Sequence, residues 1–365
     1  MKENIDVIGG VLHKVINQDI LNSHFPDKLK LAEISPLNKD SDIMNKKKYR
    51  PVSILPSISK IYERLMQNQL THFIEDQLYV HMCGYRKGYS TQHALMTLIE
   101  TWKKILDSSG YAGVIITDLS KAFDTINHEL LLAKLHAYGF ERQALLLISS
   151  YLTNRWHKTK VNTSFSTWKE LLKGVPQGSV LGPLLFNIYY NDLFYFLGET
   201  DASNYADDTN IYACDMDLEN LMRRLEHDSL VAIEWFECNY MKLNRDKCHF
   251  LIMGNKHEHL WVNVGQCQIW ESHSEKILGV TIDSNLKFEE HVKNILTSAG
   301  RKLSALARMS HILSFSKLRL LIKSFVESQF AYCPLIWMFC SRTLINRINS
   351  RTEHFVYLCR DDVLS

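Results

Sequence analysis

The length, composition and charge of this 365-residue chain are those of an ordinary globular protein. Hydrophobic residues make up 46% and charged residues 22%, which excludes a disordered chain, and the length allows two or three packed units. The net charge of +2 indicates no partner by itself. Basic clusters occur at 46–50, 86–87 and 301–308, but a solvated charged face is the better explanation for any single one of them.

Nothing in the sequence indicates a membrane span or a secreted protein. No apolar run approaches the roughly 20 residues of a membrane helix, and the first residues lack the apolar core of a signal peptide. Eight cysteines without a CxxC pair favour a reducing compartment over a disulfide framework. Cys333, Cys340, His354 and Cys359 could be drawn as a zinc site, but their spacing fits no common pattern and favours core packing. We expect an intracellular protein, in the nucleus, the cytoplasm or both, with no membrane partner.

Apolar periodicity predicts helices near both ends of the chain and a mixture of helices and strands between them. The predicted helices cover 1–22, 58–79, 91–106, 128–138, 143–152, 183–193, 218–236 and much of the chain from 288 onward. The predicted strands cover 31–37, 52–55, 114–117, 202–205, 209–213, 250–253, 261–264 and 276–282. Segment 173–179 breaks regular structure, and the whole order predicts an α+β protein that finishes in helices.

Three aspartates stand where predicted strands end. Asp207 and Asp208 lie in the tight connection of a hairpin, and Asp118 follows the apolar run 114–117. Aspartate is common in turns for backbone reasons, so the pair alone favours a turn over a metal site. A third carboxylate from an adjacent strand reverses that preference. Mg²⁺ prefers oxygen ligands, and two such ions can clamp the attacking and leaving oxygens of a phosphoryl transfer. The residues therefore suggest nucleotidyl transfer.

Seven segments resemble, in order, the motifs of reverse transcriptases. Their amino-acid sequences are similar to those of non-LTR retrotransposons of the jockey and LINE-like group. They are 49–55 (YRPVSIL), 84–91 (GYRKGYST), 118–124 (DLSKAFD), 174–183 (GVPQGSVLGP), 205–208 (YADD), 242–247 (KLNRDK) and 276–283 (KILGVTID). The resemblance covers about 25–337. It implies a right-hand polymerase fold, with fingers-like residues 1–113, an antiparallel-sheet palm at 114–283 that interleaves some fingers elements, and a shortened helical thumb at 284–365.

The resemblance also implies a metal site and an acid. Asp118 and Asp207 would be the metal-binding carboxylates, and Asp208 the second hairpin acid, often a weaker ligand in this family. The implied cofactors are two Mg²⁺ ions, with Mn²⁺ as a substitute. Lys247 matches the lysine that protonates the pyrophosphate leaving group. Lys242 is its nearest rival, and a plain surface lysine is the alternative.

Nucleotide contacts follow from the same resemblance. Phe123 matches the steric gate, a bulky ring that collides with a ribose 2′-OH and so favours deoxynucleotides. Gln177 and Gly178 match the turn that faces the incoming nucleotide and the templating base, where glycine permits close approach of the backbone. Arg50 matches the fingers arginine that lies over the nucleotide, and Lys39 is a weaker candidate for a triphosphate contact.

The implied partners are an RNA template with a DNA primer and deoxynucleoside triphosphates; no protein partner can be inferred. Arg86 and Lys87 are predicted to contact the template backbone, where contacts position without reading sequence. Gly279 lies in the segment that resembles the primer grip. Asp124, beside the gate, is predicted to be structural or helix-capping.

The sequence also departs from a complete retrotransposon protein. No endonuclease precedes the motifs, no acidic constellation suggests an RNase H domain, and Cys83 stands where a Phe-like residue is usual. We therefore expect a fragment or shortened copy of a mobile-element reading frame, able to extend a supplied primer without nicking DNA. The alternative is a catalytically inactive remnant that at most binds RNA. An intron maturase or a telomerase is a third, less favoured interpretation.

Overall fold

The chain packs as two units whose segments alternate along the sequence. The computed structural model describes residues 5–38, 42, 44–255, 259–309, 311–347 and 349–350. Unit 1 comprises 1–86, 118–198 and 231–244, and unit 2 comprises 87–117, 199–230 and the chain from 245 onward. This division differs from the three consecutive regions expected from the sequence, because each unit builds its sheet from strands that are distant in the chain. The fingers, palm and thumb boundaries stay a prediction.

The structure defines the helices and strands as follows. The α-helices are α1 (Ile5–Leu21), α2 (Ser57–Ile74), α3 (Thr91–Asp107), α4 (Ala122–Thr125), α5 (His128–Ala137), α6 (Arg142–Leu152), α7 (Gly182–Tyr190), α8 (Leu193–Phe196), α9 (Leu218–Cys238), α10 (Glu289–Arg308), α11 (Phe315–Ile322) and α12 (Ser328–Ala331). The strands are β1 (Leu31–Asn38), β2 (Tyr49–Ile54), β3 (Tyr111–Thr117), β4 (Trp156–Val161), β5 (Ser164–Phe165), β6 (Lys169–Glu170), β7 (Asp201–Tyr205), β8 (Asp208–Asp215), β9 (His249–Met253), β10 (Trp261–Val264), β11 (Cys267–Trp270), β12 (Ser274–Ile277) and β13 (Val280–Asp283). Among the described helices, none is both long and apolar enough to span a membrane.

The main differences between the elements predicted from sequence and the structure are the following three. Segment 276–282, predicted as one strand, belongs to the hairpin β12–β13, because Leu278 (φ 46°) and Gly279 (φ 87°) form a two-residue turn of positive φ. The helix predicted through Leu193 ends at Tyr190, and the short α8 follows it. Strands β4 to β6 and β11 were not predicted. In β4 to β6 no residue is fully buried, so the sequence shows no alternation of apolar and polar residues.

Unit 1 contains a mixed sheet in the strand order β2-β1-β4-β5, with β6 paired to β4. Strands β1 and β2 are antiparallel, whereas β1 and β4 are parallel. Beside this sheet, Phe25 packs edge-on against Tyr62 and Tyr151, with ring centroids 4.8 and 5.1 Å apart. All three rings are buried, so the N-terminal part of the chain shares a core with α2 and α6.

A buried carboxylate joins α2 to the start of α7 in unit 1. The Glu63 side chain is 0% exposed. Its Oε2 accepts hydrogen bonds from the backbone N–H groups of Val180 (2.6 Å) and Leu181 (3.1 Å), and its Oε1 accepts one from the Ser59 hydroxyl (2.9 Å). The first N–H groups of a helix have no intrahelical acceptor, and the helix dipole favours an anion there. Glu63 therefore caps α7 from a neighbouring helix and holds the end of the loop that precedes it.

Unit 2 is built on an antiparallel sheet in the strand order β7-β8-β3-β9. The register of β3 with β8 runs from Tyr111↔Asp215 to Thr117↔Thr209, and β9 pairs with the other edge of β3. Helix α3, the hairpin β12–β13 and the start of α10 bury apolar side chains together with these strands in one cluster. The predicted antiparallel sheet is therefore present, with the strand that precedes Asp118 at its interior.

We expect Glu63→Ala to lower the free energy of unfolding by roughly 2–4 kcal/mol, because three buried donors lose their acceptor. Urea denaturation measures this change. The matched control is Glu237→Ala, which truncates an exposed glutamate of α9 and should change stability by no more than about 0.5 kcal/mol. Equal stability of the two variants would contradict the capping role of Glu63.

Candidate active site

The hairpin β7–β8 presents Asp207 and Asp208 at its tip. Tyr205 pairs with Asp208, so the turn consists of only Ala206 and Asp207. Ala206 has a φ of 61°, a left-handed conformation that costs a residue with a Cβ roughly 1–2 kcal/mol. Asp207 is half-buried and Asp208 is exposed. The surroundings must offset the strain of this turn for both carboxylates to keep their positions.

The side chain of Asn204 supplies that support. It is 0% exposed, and its Nδ2 donates to the carbonyl oxygen of Ala206 at 2.9 Å and to Oγ1 of Thr209 at 2.8 Å. Two hydrogen bonds across the turn therefore hold both of its ends. The sequence analysis did not single out Asn204. The signal was present, since asparagine is a residue that bonds to backbone two positions further on.

Asp118 continues β3 and is held by segment 242–247. It follows Thr117, the residue of β3 that pairs with Thr209. The Asn244 N–H donates to the Asp118 carbonyl oxygen at 2.8 Å, and the Asn244 side chain donates from Nδ2 to Oδ2 of the Asp118 carboxylate at 3.2 Å. Segment 242–247 thus contacts the first aspartate of segment 118–124 directly.

The donor chemistry of Asp118, Asp207 and Asp208 suits a divalent cation, since Mg²⁺ takes carboxylate oxygens. Over the described ranges, no three His, Cys, Asp or Glu side chains are grouped as a ready-made metal site.

The structure describes two of the four residues that could be drawn as a zinc site. Cys333 and Cys340 are buried in the apolar cluster of unit 2. Burial raises the pKa of both thiols, which disfavours the thiolate that would bind zinc. His354 and Cys359 lie outside the described residues. The environment of the two cysteines agrees with core packing.

Phe123 is a half-buried ring in a fixed position. It lies in α4, stacked on Phe186 with centroids 4.8 Å apart and planes at 17°, and edge-on to Tyr85 at 5.9 Å. The carbonyl oxygen of Phe123 also accepts a hydrogen bond from the N–H of Val175 at 2.9 Å. Packing from two rings leaves the side chain little freedom to turn away, as a steric gate requires.

The loop 173–179 forms hydrogen bonds with α4 on one side and with β2 on the other. Nε2 of Gln177 donates to Oδ1 of Asp124 at 2.9 Å, which agrees with the structural role predicted for Asp124. The Ser53 N–H of β2 donates to the carbonyl oxygen of Gln177 at 2.7 Å. Gly178 has a φ of 108°, and a Cβ there would lie 2.9 Å from the Ser53 carbonyl oxygen. Glycine is therefore required at position 178 by both backbone conformation and close packing.

The predicted cationic contacts are mostly on the surface. Arg50 is exposed on β2, opposite Leu37 in the register. Lys87, Lys242 and Lys247 are also exposed, and Lys247 ends a short 3₁₀ turn. Lys39 lies outside the described residues. These placements are compatible with phosphate contacts but do not identify one.

The surroundings of Arg86, which was predicted to contact the template, are those of a buried side chain. Its side chain is 7% exposed and forms an ion pair with Glu75 at 2.8 Å. The guanidinium group also donates to Oε1 of Glu75 and to the carbonyl oxygens of Tyr79 and Met82 at 2.9–3.1 Å. A guanidinium group has five N–H donors, and these protein acceptors occupy most of them. The geometry therefore favours a structural role for Arg86, in which it closes the turn after α2.

Gly279 lies at the tip of the hairpin β12–β13, against Tyr332. The hydroxyl of Tyr332 donates to the carbonyl oxygen of Leu278 and is 3.1 Å from Oγ1 of Thr91. A Cβ at Gly279 would lie 3.1 Å from the Tyr332 ring. The turn that resembles the primer grip is thus fixed by a tyrosine that the sequence analysis did not predict, because it is 53 positions further along the chain.

A family model described as "Reverse transcriptase (RNA-dependent DNA polymerase)" matches residues 37–282, more than half of the chain. The chain belongs to this family. A relative, "Probable RNA-directed DNA polymerase from transposon X-element" of Drosophila melanogaster, is 28% identical over 356 residues, covering 92% of this chain and 38% of the relative. The "RNA-directed DNA polymerase from mobile element jockey" of the same species is 27% identical over 318 residues, covering 82% and 34%. The chain thus spans about a third of the length of these relatives.

Among solved structures, apo telomerase from Candida tropicalis, truncated from its C-terminal domain, is similar with a TM-score of 0.48 and 12% identity. The match covers 70% of this chain and 54% of that one.

The family match and the similarity to transposon relatives together confirm the resemblance to jockey-like elements, and the family match confirms the α+β fold class of right-hand polymerases. The matched range 37–282 contains every residue to which the resemblance gave a role, from Lys39 to Gly279. The role of each individual residue stays a prediction.

We expect Gly178→Ala to disturb the loop 173–179 and to cost about 1–3 kcal/mol of folding free energy, because the new Cβ meets Ser53 in a strained backbone conformation. Thermal denaturation measures the change. In the control Gly198→Ala, no heavy atom lies within 4 Å of the added Cβ, so stability should be unaffected. A fully stable Gly178→Ala protein would show that the loop is not held as described.

Proposed function

We propose that this chain is an RNA-directed DNA polymerase that adds deoxynucleotides to a primer 3′-OH on an RNA template, using two divalent metal ions. The observation that carries the proposal is the family match, whose range contains all the motif residues. The printed names of the relatives, RNA-directed DNA polymerases of transposons, support it. The aspartates at the strand ends and the loop 173–179, which packs closely against β2 at Gly178, also support it. Such a reaction belongs where RNA and deoxynucleotides meet, in the nucleus or the cytoplasm.

In this proposal, Asp118 and Asp207 hold the metal ions and Asp208 is a weaker ligand. Magnesium fits these oxygen donors, and manganese could replace it. Two bound cations would stabilise the charge on the attacking and leaving oxygens of an in-line displacement. Lys247 would supply the proton that the departing pyrophosphate takes up, with Lys242 as the alternative donor.

The remaining residues would select and orient the substrates. Arg50, and Lys39 more weakly, would offset the charge of the triphosphate as its bond breaks. Phe123 would exclude the ribose 2′-OH, because its ring is held by two aromatic neighbours. Gln177 and Gly178 would face the nucleotide and the templating base.

The nucleic acid would be held by backbone contacts. Lys87, exposed in unit 2, is the better of the two predicted template contacts, since Arg86 is occupied within the protein. The turn at Gly279 would lie along the primer strand. Contacts of this kind position nucleic acid without reading its sequence.

Primer extension on an RNA template tests the metal ligands. We expect Asp118→Asn and Asp207→Asn to lose at least about 10³-fold in extension, because each removes a charged ligand to ions that stabilise the transition state by several kcal/mol. Asp201→Asn, which neutralises an exposed aspartate at the start of β7, should extend normally. Full activity of Asp118→Asn would refute the assignment. A folded wild-type chain that extends no primer with Mg²⁺ or Mn²⁺ would favour the inactive remnant.

The sugar preference tests the gate. Phe123→Val should let ribonucleotides be incorporated, with discrimination against them reduced on the order of 100-fold, since the clash with the 2′-OH is removed. Incorporation of each nucleotide class by single-turnover kinetics gives the ratio. The control Phe196→Val removes an exposed ring of α8 and should leave the ratio unchanged. If Phe123→Val keeps the wild-type ratio, another residue excludes ribonucleotides.

A further inference from the structure

Segment 242–247 is joined to the start of the first aspartate motif by backbone hydrogen bonds. Leu119 and Leu243 form an isolated antiparallel bridge. On one side of it, the Asn244 N–H donates to the Asp118 carbonyl oxygen at 2.8 Å. The backbone position of Asn244 relative to Asp118 is therefore set by main-chain pairing and does not depend on the side chain at position 244.

The side chains of this pair form a further contact. Nδ2 of Asn244 donates to Oδ2 of Asp118 at 3.2 Å, and both residues are half-buried. The amide must present its NH₂ group here, because its oxygen would repel the carboxylate. A hydrogen bond of this kind restricts rotation of the carboxylate and adds no charge beside it, since the donor is neutral.

The sequence analysis gave roles in this segment only to the lysines. We propose that Asn244 is a positioning residue that orients the Asp118 carboxylate for metal binding. The inference rests on the proposed function, in which Asp118 is a metal ligand. Carboxylates that bind metals are commonly oriented by hydrogen bonds from outer residues, whose loss typically lowers metal affinity or activity by about 10–100-fold.

The structure offers a matched control. Nδ2 of Asn220 donates to Oδ2 of Asp215 at 2.7 Å in unit 2. This pair has the same chemistry as Asn244 with Asp118, and its aspartate has no assigned role in metal binding. Asn220→Ala therefore reports the effect of breaking an asparagine–aspartate hydrogen bond alone.

The test measures Mn²⁺ binding by the electron paramagnetic resonance signal of free Mn²⁺, with primer–template present, and the Mg²⁺ dependence of extension. For Asn244→Ala, we expect Mn²⁺ affinity to fall about 10–100-fold and the Mg²⁺ concentration for half-maximal extension to rise in parallel. Asn244→Ser keeps a shorter donor and should lie between Asn244→Ala and wild type. Asn220→Ala should match wild type in both measurements. Because the main-chain pairing stays, circular dichroism should show all three variants folded.

The outcomes separate this inference from the proposed function. If Asp118→Asn abolishes Mn²⁺ binding but Asn244→Ala and Asn244→Ser bind within twofold of wild type, the positioning role is overturned and the metal site stands. It is also overturned if Asn220→Ala weakens Mn²⁺ binding as much as Asn244→Ala does. If Asp118→Asn binds Mn²⁺ as wild type does, and wild type extends no primer, both the proposed function and the inference fail. Should Asn244→Ala fail to fold, Asn244→Ser gives the same comparison.

Discussion

The pairing of β3 with a strand on each side constrains the positions of the acidic residues more than any other feature. β3 lies between β8 and β9, so both of its edges are hydrogen-bonded. A slip of one residue would turn every side chain of β3 to the opposite face of the sheet, and it would break the ladder of paired residues on both edges of β3. Gly113 adds a second restraint, since a Cβ there would lie 2.6 Å from Leu225 of α9. The register therefore determines where β3 ends and Asp118 begins.

In unit 1, buried polar contacts restrain the loop 173–179 in addition to the burial of its Val175 and Pro176. Glu63 binds the N–H groups just after the loop, and Ser53 binds Gln177 within it. A buried carboxylate is costly unless its oxygens are satisfied, and both Glu63 oxygens have donors. Such contacts require one geometry, whereas apolar packing tolerates several. The loop is therefore held in a single conformation.

Much of this architecture was predictable because it depends on local patterns. Apolar periodicity located α3 and the hairpin β7–β8 to within a few residues. The sequences of the motifs led to the correct family. Residues whose partners are distant in the chain were not predictable in the same way. Arg86 lies in a basic cluster by sequence but pairs with Glu75 in the structure. Tyr332 contacts Leu278 only because the chain returns to β12–β13. Strand β4 pairs with β1, a partner more than a hundred residues away, and β5 and β6 in turn pair with β4.

The residues that hold the aspartate-bearing backbone share one chemical property. Asn204 braces the turn at Ala206 and Asp207, and Asn244 bonds to Asp118. Each presents a neutral NH₂ donor. A lysine in either position would add a positive charge beside the aspartates, and an aspartate has no N–H group with which to donate. An amide can orient a carboxylate or hold its backbone without adding a charge. Side-chain amides beside these aspartates therefore combine a fixed geometry with an unchanged local charge, which is what the proposed metal site requires.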